Sequence, residues 1–116
     1  MLKNLSEKTV LIVEDDPIFA QIYRHTFKAR SIKVFVANDG ETALELMKKV
    51  SPDFVILDIR LPKMNGVEFL KQMRVDPKYK NTPVIILTSY GTAEYREAVK
   101  DLNIVDFMVK MDVEIK

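Results

Sequence analysis

Three short runs, Val10-Leu11-Ile12-Val13, Phe54-Val55-Ile56-Leu57 and Val84-Ile85-Ile86-Leu87, are apolar without a break and rich in β-branched residues. A strand with one face in water alternates polar and apolar residues, so an unbroken run predicts a strand buried on both faces. Ile32 to Ala37 is a fourth candidate strand, and Val105 to Val109 a shorter fifth. Between these runs the apolar residues recur at helical spacing. Phe19, Tyr23 and Phe27 do so with Ile18 and Ile22 beside them; Ala43, Leu44, Met47 and Val50 follow. Val67, Leu70 and Met73 make a third stripe, and Tyr95, Ala98, Val99 and Leu102 a fourth. Asp16-Pro17 reads as an N-cap followed by proline at the first helical position. Asp39-Gly40, Ser51-Pro52, Asn65-Gly66, Asp76-Pro77 and Thr82-Pro83 mark further turns or boundaries. Strands alternating with helices predict an α/β domain, a parallel sheet with right-handed crossovers and helices on both faces.

The 116 residues suit one domain over 1–116. Eighteen basic and seventeen acidic residues leave a net charge of +1, which gives no bulk attraction to nucleic acid or to a membrane surface. Lys48-Lys49 and Lys78 to Lys80 read as solvated charges, and His25 as a surface residue. The six methionines read as core and boundary filler. The absence of cysteine excludes disulfides and thiolate metal sites. No apolar run approaches the roughly 20 residues of a membrane span, and the first residues do not resemble a signal peptide. A cytoplasmic location is expected.

In a parallel sheet all strand carboxyl ends lie on one edge, and ligands bind there. The first strand runs into Glu14-Asp15-Asp16, the third ends at Asp58, the fourth at Thr88-Ser89 and the fifth at Lys110. An acid after a strand often only caps the next helix, and Asp16 before Pro17 fits that role. Asp58, behind four apolar residues and ahead of Leu61-Pro62, does not. Carboxylates from adjacent strands would repel by about 4 kcal/mol per pair at 4 Å and an effective dielectric near 20. Either their pKa values rise or a cation sits among them. Oxygen donors without His or Cys favour a hard cation, Mg²⁺ (or Mn²⁺) rather than Ca²⁺. A carboxylate beside a divalent cation, an ammonium and a hydroxyl is equipped to accept a phosphoryl group.

Four segments in order resemble the receiver domain of bacterial two-component response regulators, the CheY-like family, over nearly the whole chain. They are residues 11–16, residues 55–66 from Val55 to Gly66, residues 83–89 from Pro83 to Ser89, and Asp106 to Lys110. The resemblance implies a flavodoxin-like doubly wound five-stranded parallel sheet of order 2-1-3-4-5. It implies Asp58 as phosphoacceptor and Glu14 and Asp15 as the acidic pair, Asp15 the more direct ligand of Mg²⁺. The backbone carbonyl of Arg60 would also face the metal. Thr88 matches the switch hydroxyl, Lys110 the lysine that pairs with the phosphoryl group, and Phe107 the switch aromatic. Arg60 and Tyr90 would tune the lifetime of the phosphoryl group. The partners implied are a sensor histidine kinase or phosphotransfer protein as donor and a downstream protein target, with no nucleic acid and no membrane. Such a domain is not an enzyme beyond promoting its own phosphorylation and dephosphorylation.

The chain departs from the family pattern at three places. Phe107 stands where tyrosine is common, so the ring can move inward but cannot donate a hydrogen bond. Met111 stands where proline is usual, and the bond before it should be trans, because a cis bond before another residue costs about 2.5–4 kcal/mol. Only residues 111–116 follow Lys110, so the fifth helix is expected to be truncated or missing, with residues 1–8 as an N-terminal extension. An apolar surface left beside the first helix would invite a homodimer. Three other functions compete. A haloacid-dehalogenase-type aspartyl-phosphate phosphatase needs a second acid where Arg60 stands. A flavodoxin-type cofactor binder needs a phosphate cradle where Glu14-Asp15-Asp16 stands. A pseudo-receiver that only docks or dimerises would not need Asp15, Asp58, Thr88 and Lys110 together.

Overall fold

The five expected strands form one wholly parallel sheet in the order β2-β1-β3-β4-β5. They are β1 Thr9–Val13, β2 Lys33–Ala37, β3 Phe54–Leu57, β4 Val84–Thr88 and β5 Asp106–Val109. The structure, a computed structural model, describes residues 8–89 and 91–110. Tyr90, the Met111 peptide bond, the expected remnant of a fifth helix at 111–116 and all but Lys8 of the N-terminal extension lie outside the described residues.

Successive side chains of a strand point to opposite faces of the sheet. Leu11, Val13, Val55, Leu57, Val84 and Ile86 therefore share one face. Helices α2 (Gly40–Val50), α3 (Gly66–Val75) and α4 (Ala93–Val99) bury Met47, Phe69, Leu70, Met73 and Val99 against it. Val10, Ile12 and Ile56 point the other way and meet Tyr23 and Phe27 of α1 (Pro17–Lys28). β1 and β3 are central and covered on both faces, which is why their sequences are apolar without alternation.

The helix starts follow from their caps. Asp16, Asp39 and Asn65 accept hydrogen bonds from the N–H groups of Ile18, Thr42 and Glu68 at 2.9, 2.8 and 3.0 Å. Each satisfies an N–H that has no partner inside its helix. Three apolar expectations come out differently. Ile18, in the first turn of α1, faces solvent at 69% exposure, and Ala98 is exposed on α4. Val105 precedes β5 instead of opening it and is exposed.

Candidate functional site

The register of the sheet assembles the site. Val13 pairs with Leu57, so the next residues, Glu14 and Asp58, leave adjacent central strands side by side. Backbone bonds continue past the strand ends: Asp58 N–H donates to the Val13 carbonyl at 2.9 Å, and Lys110 N–H to the Thr88 carbonyl at 2.7 Å. The edge is thus held by the backbone before any side chain is considered.

Carboxylate oxygens of Glu14, Asp15 and Asp58 lie within 4.8 Å of one another. Glu14 and Asp58 are buried, at 1% and 6% exposure, while Asp15 is exposed. Lys110, 8% exposed, brings its ammonium to 2.6 Å from Glu14 Oε1 and 3.2 Å from Asp58 Oδ2. The Glu14 contact is an ion pair without hydrogen-bond angles; the Asp58 contact has them. Asp58 Oδ1 accepts from its neighbour, the Ile59 N–H, at 2.7 Å, and Glu14 Oε2 accepts from the Asp16 N–H at 3.1 Å. Three carboxylates against one ammonium leave a formal surplus of two negative charges, the charge a divalent cation cancels. Burial pushes the Glu14 carboxyl up to about 7 even though Lys110 pulls it down, and the Asp58 charge adds to the rise. Burial pulls the Lys110 ammonium down, but its carboxylate partners outweigh this and hold it above its ordinary value. The two directions agree: Lys110 stays charged, and Glu14, the deepest acid, takes up a proton when the surplus is not balanced. The donor set, all carboxylate oxygens and one of them exposed, fits a hard divalent cation.

A cavity of about 820 Å³ opens over these groups. Pro17, Ile18, Leu61 and Pro62 form an apolar rim, while Arg60, exposed in the loop after β3, is polar wall. Ser89 lines the cavity, whereas Thr88 is fully buried at the end of β4. Phe107 is half-buried on β5, and the Arg96 guanidinium lies 4.5 Å from its ring centre. Gly66 is obligatory where it stands: a Cβ there would overlap the carbonyl oxygen of Asp58. The Gly66 N–H instead donates to the Ile59 carbonyl at 2.6 Å and ties α3 to the acidic loop.

Two contributions were not read from sequence. Tyr95 belongs to the apolar stripe of α4 and also lines the cavity. Phe19 places its ring centre 4.2 Å from the Lys110 ammonium. Both residues have helical core spacing, and nothing in that spacing marks contact with a polar site.

The response regulator receiver domain family matches residues 10–114 of the chain. The sporulation initiation phosphotransferase F of Bacillus subtilis (strain 168) is 34% identical over 106 residues, 91% of this chain and 83% of that protein. The regulatory protein AtoC of Escherichia coli (strain K12) is also 34% identical, over 87% of this chain, yet the match spans only 22% of that protein. Among solved structures, the chemotaxis protein CheY4 of Vibrio cholerae matches with a TM-score of 0.82 and 33% identity. That match covers 89% of this chain and 86% of the other. No helix among the described residues is long and apolar enough to cross a membrane.

Proposed function

The chain belongs to the response regulator receiver domain family, and from that premise we propose that Asp58 accepts a phosphoryl group in a cation-dependent transfer that switches its protein contacts. Receiver domains are phosphoacceptors of two-component systems and interact with histidine kinases and phosphotransfer proteins. The observation that carries the reading is the meeting of Glu14, Asp15 and Asp58 within 4.8 Å beside the buried Lys110. A module used only for docking has no need of that surplus of negative charge around a buried ammonium.

A divalent cation held by Asp15, Asp58, Glu14 and the Arg60 carbonyl would offset the charge of the incoming phosphoryl oxygens. The protein groups do the rest. A carboxylate oxygen of Asp58 forms the new bond to phosphorus as the phosphorus–nitrogen bond of a phosphohistidine donor breaks. The electron pair returns to the donor imidazole. Lys110, already charged and 3.2 Å from Asp58, transfers part of its attraction to the phosphoryl oxygens. Thr88 is buried, so donating its hydroxyl to those oxygens requires the loop after β4 to move inward, and Phe107 fills the space vacated. Leaving Arg96 costs Phe107 a cation–π contact and sets a threshold on that motion. Arg60, two residues past the acceptor, and Tyr90, two past Thr88 in the sequence, tune the lifetime of the acyl phosphate in this reading. The chain promotes these two steps on itself and turns over no other substrate.

The whole chain acts as one receiver unit in this reading, and the expected homodimer is tested by sedimentation velocity, where a stable monomer at high concentration would count against it. The switch is tested with beryllofluoride and Mg²⁺. Amide NMR signals of Thr88, Ser89 and Lys110 should shift on addition and stay unmoved in Asp58→Asn. Wild-type signals that do not respond would exclude the switch.

A further inference from the structure

Lys110 enters the site from the end of β5 on a four-carbon stem with many rotamers, and two of its neighbours are acids on adjacent strands. Left to these alone, the ammonium would follow Glu14, its closer partner at 2.6 Å. A third contact comes from α1, where the face of Phe19 meets the ammonium at 4.2 Å. An aromatic face carries negative charge density and attracts a cation within about 6 Å of its centre. The ring is itself braced: Phe19 leans on Tyr23 with centres 6.0 Å apart, and Tyr23 packs on the apolar cluster of Val10, Ile12 and Ile56. The start of α1 is fixed by the Asp16 cap, immediately after Glu14 and Asp15.

We propose that Phe19 is a positioning residue of the phosphoryl site, its π face holding the Lys110 ammonium over the gap between Glu14 and Asp58. The inference rests on the phosphoacceptor reading of Asp58 and adds a group which that reading does not need. Three elements then fix one cation: β1 through Glu14, β3 through Asp58 and α1 through Phe19. The ammonium is in place before a phosphoryl group arrives, and only a short shift carries it from carboxylate to phosphoryl oxygen. If instead Phe19 were only part of the apolar stripe of α1, any ring of the same shape would serve equally, whatever its charge distribution.

Ring fluorination separates the two cases, because it drains the π face while leaving size and shape nearly unchanged. The full chain is prepared with mono-, di- and trifluorophenylalanine at position 19, and as Phe19→Leu. Two readouts are taken. The first is the ¹H–¹³C NMR signal of the Lys110 ε-methylene in metal-free protein, which an aromatic face above it moves upfield. The second is the initial rate of phosphate uptake from acetyl phosphate at saturating Mg²⁺. The upfield shift is expected in the wild type and absent in Phe19→Leu. The uptake rate should fall stepwise with each fluorine and by about 2- to 30-fold in Phe19→Leu. Identical Lys110 signals in wild type and Phe19→Leu overturn the contact. Wild-type rates across the fluorinated series, with only Phe19→Leu slowed, reduce Phe19 to packing and overturn the positioning role. A wild type that takes up no phosphate defeats the parent reading instead, and the NMR comparison still decides whether the ring holds the ammonium. Should Phe19→Leu fail to fold, the fluorinated proteins, being isosteric, carry the test alone.

Discussion

Replacing Glu14 by glutamine removes a charge from the deepest point of the site without changing its shape. Glu14 is 1% exposed, and burial raises its carboxyl from 4.5 to about 7. The folded protein therefore holds a proton that the unfolded chain releases earlier. At about 1.4 kcal/mol per pKa unit, ionised Glu14 disfavours the metal-free fold by about 3 kcal/mol once the pH exceeds both values. The sign follows: a raised folded pKa stabilises below the unfolded value, and that stability is lost as pH rises from 4.5 through about 7. The glutamine variant has no such loss. It carries a different cost, because the carboxylate uses both oxygens, one toward Lys110 and one toward the Asp16 N–H, and an amide has only one acceptor. That cost, about 1–3 kcal/mol, does not vary with pH. The quantity to measure is therefore the change in relative stability between about pH 5 and pH 8, expected to be about 2–3 kcal/mol in favour of Glu14→Gln at the higher pH. Urea denaturation in EDTA gives it directly, and saturating Mg²⁺ should cancel most of the wild-type deficit. A stability difference between wild type and Glu14→Gln that is the same at both pH values would refute the account of Glu14.

Mg²⁺ should bind more tightly as pH rises through about 7, with up to one proton released per ion, because ion and proton compete for Glu14. Calorimetry in buffers of different ionisation enthalpy counts the protons, and a count of zero contradicts the competition. Gly66→Ala should destabilise by about 1–3 kcal/mol in thermal or urea unfolding and disturb the Asp58 loop, since the added methyl overlaps the Asp58 carbonyl; an unchanged protein would mean that α3 shifts freely. Arg74 donates to the carbonyls of Leu102, Tyr79, Lys80 and Asn103 at 2.8–3.2 Å and clamps the end of α3 to the turn before β5. Arg74→Met should cost about 2–4 kcal/mol in urea, and amide exchange should quicken at residues 102–105 before the rest of the chain. Uniform exchange would show that no local clamp exists.

The sheet was legible because β1, β3 and β4 are buried on both faces or nearly so, and such burial leaves an unbroken apolar run in the sequence. The acidic edge was legible for a related reason: in a parallel sheet the residues after each run share an edge, so Glu14, Asp15, Asp58 and Lys110 could be brought together without coordinates. Contacts made by helices could not. Phe19 and Lys110 are far apart in sequence, and the apolar spacing of α1 shows which stripe faces the sheet, not which ring overhangs its edge. The clamp made by Arg74 leaves no signal in the sequence, because its guanidinium is satisfied by four backbone carbonyls whose directions depend on turns. Phe69, one of the largest fully buried side chains, stands one place before Leu70 and broadens the apolar face of α3.

Phosphate uptake from acetyl phosphate, read as intact mass in wild type and Asp58→Asn with Mg²⁺ or with EDTA, addresses the acidic cluster most directly. A gain of one phosphoryl group in the wild type with Mg²⁺, lost on chelation and lost in Asp58→Asn, is the expected result. Uptake that survives Asp58→Asn, or that ignores the metal, would contradict a site in which the carboxylates of Glu14, Asp15 and Asp58 hold one cation for chemistry at Asp58.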